Sequence, residues 1–198
     1  LSIGLKGNND GSGAVQIGGS DAITISTGLS TTFAGTATVP TGTLYPIVSG
    51  TAVASTSGTA IDFTGIPSWV KRITVMFNGV STTGTSNFQI QIGSGSVDTT
   101  STYSGSLSFL AGTVVSTAYT TGFLVVSPLA ASLMSGASSL TLVSGNIWAF
   151  SSTVARSDGA TGVAGGSKSL SGTLDRVRIT TVNGTDTFDA GSINILYE

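Results

Sequence analysis

Short runs of β-branched and aromatic residues, broken every few positions by Gly, Ser, Asn-Gly or Asp-Gly, continue along the whole chain. This is the vocabulary of strands joined by tight turns, and it predicts an all-β fold. Ile73, Val75 and Phe77 alternate with Arg72, Thr74 and Met76, and Asn78-Gly79 is expected to end that strand in a turn. Phe88, Ile90 and Ile92 alternate with Asn87, Gln89 and Gln91, which predicts an antiparallel strand with its amide side chains in water. Further strands are expected at 59–63, 105–111, 113–118, 121–126, 139–150, 173–182 and 190–197. Turn signals recur at the spacing of sandwiches, so residues 41–198 are expected to form an antiparallel, jelly-roll-like β-sandwich head.

Residues 1–40 differ from the rest. Their strands are short and their apolar positions too few for a core built from one chain. Val15, Ile17, Ile23, Ile25 and Phe33 are the positions expected to meet across chains in a β-stalk that several chains wrap together. Residues 40–46, with two prolines and a Gly, read as a linker. One short helix is expected from Ser127, with Pro128 at its first position, Leu129 and Leu133 at i, i+4, and Gly136 closing it. Pro67 and Trp69 read as a buried corner, with an exposed sugar platform as the alternative. Trp148 and Phe150 share one strand face and Ile147 the other.

Charged residues are 8% of the chain, against roughly 25% in an ordinary globular protein. So sparse a surface charge favours association, which supports an oligomer. Seven Lys and Arg and a net charge of −2 argue against a nucleic-acid partner. Without His or Cys, chemistry that requires those residues is excluded. The apolar run at 123–131 is interrupted too soon for a membrane span. The chain starts at Leu1-Ser2-Ile3 with no signal-peptide pattern, and it reads as the later part of a longer protein.

Three segments carry a resemblance. Residues 7–19 (GNNDGSGAVQIGG) are similar to the tandem β-elements of tailed-phage fibres. Residues 60–75 (AIDFTGIPSWVKRITV) and 174–198 (LDRVRITTVNGTDTFDAGSINILYE) resemble the C-terminal domain of phage and prophage fibre-like proteins. The resemblance implies a homotrimeric virion protein, carried on the tail or the capsid. Its tip then either binds a bacterial surface, glycan or protein, or decorates the particle as a capsid fibre. The implied partners are further copies of itself, other virion proteins reached through upstream chain, and the host surface.

No constellation of residues points to catalysis. The acids are scattered, only Asp186 and Asp189 are close, and Asn183-Gly184-Thr185-Asp186 reads as a turn, so neither a glycosidase pair nor a calcium loop is expected. The expectation is a non-enzyme with no metal and no cofactor. Arg176 and Arg178, with Asp175 nearby, read as an ion-pair face. Ligand contacts are therefore expected from the polar loops 81–87, 93–104 and 151–170. The candidates are Tyr103 and Tyr119, as rings suited to a sugar face, with Arg156, Asp158 and Lys168.

Overall fold

The computed structural model describes Ile3–Gly7, Gly13–Ile17, Ser20–Ile25, Thr31–Thr32, Thr38–Val39, Gly42–Thr43 and residues 45–198 other than 112, 127 and 131. The chain divides into two units, Leu1–Pro46 and Ile47–Glu198.

In the first unit, β1 (Ile3–Gly7), β2 (Gly13–Ile17), β3 (Ser20–Ile25) and β4 (Thr31–Thr32) form an antiparallel meander. Two short strands, β5 (Thr38–Val39) and β6 (Gly42–Thr43), pair with each other. The register sets Leu5 opposite Val15 and Val15 opposite Ile23, with Ile17 opposite Ile3 and Ile25 opposite Gly13. Four of the five expected stalk positions therefore share one small sheet within a single chain. Phe33 lies outside the described residues, as do the turn signals Asp10-Gly11 and Gly18-Gly19.

The second unit begins with β7 (Val48–Ser49), β8 (Val53–Ala54), β9 (Ala60–Thr64), β10 (Arg72–Thr82), β11 (Phe88–Ser94) and β12 (Ser96–Val97). It continues with β13 (Ser104–Ala111), β14 (Thr113–Tyr119), β15 (Phe123–Val126) and β16 (Met134–Ser144). β17 (Ile147–Arg156), β18 (Thr161–Ser169), β19 (Arg176–Thr181) and β20 (Phe188–Tyr197) complete it. One sheet runs β14-β13-β18-β17-β16-β10-β20-β7, with β8 also on β20. The other runs β12-β11-β19-β9, with β15 on β11. All pairings are antiparallel, and side chains of both sheets fill one core, an arrangement consistent with a β-sandwich. Phe88 against Phe188 (5.7 Å, edge to face) and Phe123 stacked on Phe150 (4.5 Å) join the sheets.

β10 follows its sequence pattern: Ile73, Val75 and Phe77 are buried and Arg72 is exposed. Asn78-Gly79, however, does not end it. The strand continues to Thr82 through a bulge, with Gly79 at φ +62°. Gly191, at φ +88°, faces this bulge, and a Cβ there would lie 2.3 Å from the Gly79 carbonyl oxygen.

Other expectations are corrected. Gln89 and Gln91 are buried, because the segment before β15 covers them: the Gln91 amide donates to the Thr121 carbonyl (2.9 Å). The run 139–150 is two strands, turned at Gly145 (φ +53°). Residues 151–170 form most of the β17–β18 hairpin and not a loop. The expected helix after Ser127 does not form, and the described residues contain no helix. Leu129 and Leu133 stay exposed, Ser132 N–H closes a turn on Leu129 O (2.8 Å), and from Met134 the chain is captured by β10 and β17. With its leucine face exposed, a two-turn helix has too little to offset its nucleation cost. Gly136 lies inside β16, where a Cβ would meet the Thr153 carbonyl at 2.4 Å. Trp148 and Phe150 face the core, Ile147 is exposed, and half-buried Trp69 packs on Tyr197 at 5.9 Å.

Candidate functional site

Antiparallel strands of similar length collect their connections at two ends. One end carries the segments 65–71, 95–103, 120–122, 145–146 and 170–175. The other carries 83–87, 128–130, 132–133, 157–160 and 182–187. The five residues expected to contact a ligand divide between them. Lys168 sits opposite Trp148 near the first end, and Arg156 closes β17 at the second, about 26 Å away at about 3.3 Å per residue.

At the first end the expected exposed rings are interior, and this placement is a correction. Tyr103 and Tyr119 both pack edge to face on Phe123, at 4.9 and 6.1 Å. The Tyr103 hydroxyl accepts from Ile92 N–H (2.9 Å) and donates to Asp98 O (2.9 Å); the Tyr119 hydroxyl donates to Gly165 O (2.9 Å). Burial pushes both phenols well above their ordinary range. Lys168, with its side chain 1% exposed, also points inward. Its ammonium pairs with Asp98 (2.8 Å), donates to Thr100 (3.0 Å) and Thr102, and lies 4.6 Å over the Tyr103 ring. Burial alone would raise the Asp98 carboxyl, but hydrogen bonds from Lys168 and Thr100 outweigh it and hold the group below its usual range. Tyr103 and Lys168 pin the 95–103 segment to the sheet, Tyr119 ties β14 to β18, and all three present almost no surface.

The second end is open. The β10 bulge, the chain before β16 and the β17–β18 turn surround a depression of about 280 Å³, lined by Asn78, Gly79, Leu133, Ser135, Arg156 and Ser157. Ser135 accepts from Gly79 N–H (3.0 Å), and Ser157 accepts from Leu133 N–H (3.1 Å), which fixes both hydroxyl oxygens. Arg156, expected as a loop contact, is instead buried at the end of β17 with its side chain 6% exposed. Its guanidinium donates to Asp158 (2.9 Å from Nε) and lies 4.6 Å over the Phe109 ring. The hydrogen bond from Arg156 holds the Asp158 carboxyl low. Arg156 and Asp158 thus compensate each other, and the hollow offers hydroxyls and the exposed Leu133 in place of net charge. Sequence reasoning missed Asn78, Leu133, Ser135 and Ser157. Asn78-Gly79 was visible as a turn signal, but its position beside β16 depends on pairing.

Other charged side chains are engaged within the fold. Arg178 holds Asp62 across β19 and β9 with two bonds of 2.7 Å, Arg176 holds Asp175, and Arg72 pairs with Glu198. Asp186 accepts from Ser86 N–H and the Asn183 amide, tying together 83–87 and 182–187. Asp189 accepts from Ser81. No group of three potential metal-ligating side chains occurs among the described residues. No helix among them is long and apolar enough to cross a membrane. No protein-family model, curated protein or solved structure matches the chain.

Proposed function

We propose that this chain is part of a virion fibre of a tailed phage or prophage. It assembles as a homotrimer on a stalk formed by residues 1–40, and its jelly-roll-like head recognises the bacterial host surface. The observation that carries the recognition is the open depression at the Arg156 end, built on rigid strands and lined by hydroxyls and one exposed leucine. Such a surface suits a neutral glycan or a peptide, since Asp158 already compensates the arginine. Three copies on one particle multiply a weak contact by avidity.

The test is adsorption of labelled protein to a panel of bacterial strains, with light scattering on the same samples. The expected mass is three times 19.6 kDa. Leu133→Glu and Asn78→Ala are expected to reduce adsorption at least tenfold without altering mass or melting temperature. Unchanged adsorption by both variants, or a monomer, refutes the proposal. Binding to purified capsids and to no cell would replace it with a shell-decorating role.

A further inference from the structure

The larger sheet turns a broad outer surface away from the core. One register row crosses six of its strands, from β13 to β20: Ser108, Val163, Thr153, Ala137, Met76 and Asn194. Residues next to this row along the strands, such as Leu107, Val154, Val75 and Ile195, are buried, so the row itself points outward. Along β17 the outward positions continue from Thr153 through Ser151 and Ala149 to Ile147. Across these rows the outward side chains are uncharged, except at one corner, where Arg72 pairs with Glu198. The opposite face of the sandwich is different. On β9 and β19 the outward Asp62, Arg176 and Arg178 stand in solvent as ion pairs.

The uncharged face carries both a hollow and a knob. The hollow, of about 310 Å³, is lined by Thr74, Ala137, Ser139, Ser151, Thr153 and Val163. The knob is Ile147, 42% exposed. Six strands about 4.8 Å apart and four outward rows about 6.7 Å apart cover roughly 700 Å² once the unfilled corners are left out. Standard interfaces take about 800 Å² of accessible surface per partner, and side chains standing out of the plane bring this face to that size. Its hydroxyls both donate and accept, so the face complements another of its own kind without any opposing charge. A hollow and a knob on one face also let each copy fill the next, which closes into a ring.

We infer that this face is where neighbouring copies of the chain meet, Ile147 of one copy entering the Thr153 hollow of the next. That the assembly has three members rests on the homotrimer reading above; that the occupant is a second copy rests on the face itself.

The chain has no Cys, so single cysteines report this contact cleanly in the full-length protein. Thr153→Cys probes the hollow, and Thr64→Cys, exposed on the opposite face, serves as reference. Reaction with a maleimide is timed for each, divided by the rate of the same chain unfolded in urea, and light scattering is run on the same samples. Thr153→Cys is expected to react at least tenfold more slowly than Thr64→Cys. Adding Ala137→Arg, which fills the hollow with a charged side chain from an exposed position, is expected to abolish that protection with the circular dichroism unchanged. An oligomer in which both cysteines react equally fast overturns the inference and leaves the homotrimer standing. Protection that survives Ala137→Arg, or that occurs in a monomer, also overturns it, because the cover then comes from within the chain. A monomer without protection overturns the interface and the homotrimer together. A protected dimer keeps the interface and refutes the homotrimer, and a protected trimer that adsorbs to no cell keeps the interface and refutes the host-surface reading.

Discussion

Replacing Lys168 with Met removes one charge from the interior and keeps most of the side-chain volume. The lysine is held by Asp98, Thr100, Thr102 and the face of Tyr103, with 1% of its side chain exposed. Breaking a buried ion pair by deleting one member costs about 3–5 kcal/mol. Asp98 retains 23% exposure and a bond from Thr100 N–H (2.9 Å), so it regains water when the lysine is gone. The lower end applies, about 3 kcal/mol, which for a unit of this size lowers the melting temperature by about 6–12 °C. Asp98→Asn is expected to cost at least as much, because the cation it abandons has no route to solvent. Thermal and urea unfolding of both single variants and the double variant close the cycle, with an expected coupling of about 2 kcal/mol. A loss below about 1 kcal/mol in Lys168→Met, or additivity within about 0.5 kcal/mol, refutes the reasoning.

Three further outcomes follow from the same structure. Tyr103→Phe strands the buried Ile92 N–H, so stability is expected to fall by about 1–3 kcal/mol and exchange at that amide to accelerate; a variant as stable as the parent contradicts the assigned bond. Gly191→Ala combines a φ of +88° with a Cβ 2.3 Å from a backbone oxygen, and is expected to cost about 2 kcal/mol or more in urea melts. Asp98 has a folded pKa below its unfolded value near 3.8, so its contribution is present above that value and lost as pH falls through the folded one. Melting temperatures measured downward from about pH 5 are expected to drop less steeply in Lys168→Met than in the parent.

The strand pattern was legible wherever one face is buried and the other wet. Ile73, Val75 and Phe77 alternate as β10 requires, and both members of the Arg178–Asp62 and Arg176–Asp175 pairs sit on or beside strands expected from the sequence. The Gly- and Ser-rich stretch 151–170 reads as loop because its outward residues are hydroxyls and glycines, a composition common to loops and to wet strand faces. Asn78-Gly79 carries a hairpin signal, yet it became a bulge because β16 and β20 already flank the strand on both sides. The Arg156 hollow could not be read at all, since it joins Asn78, Leu133 and Ser157 from three separate segments.

By itself the sequence determined an antiparallel all-β architecture, because period-two alternation and turn chemistry are local properties of a few neighbouring residues. Only the tertiary structure decided which polar groups leave water. Lys168 reads as a surface cation until Thr100, 68 positions earlier, and Asp98 close over it. Tyr103 reads as a loop aromatic until Phe123 packs against it. Burial is set by partners distant in the chain, and it is burial that took four of the five expected ligand contacts, Tyr103, Tyr119, Arg156 and Lys168, out of water.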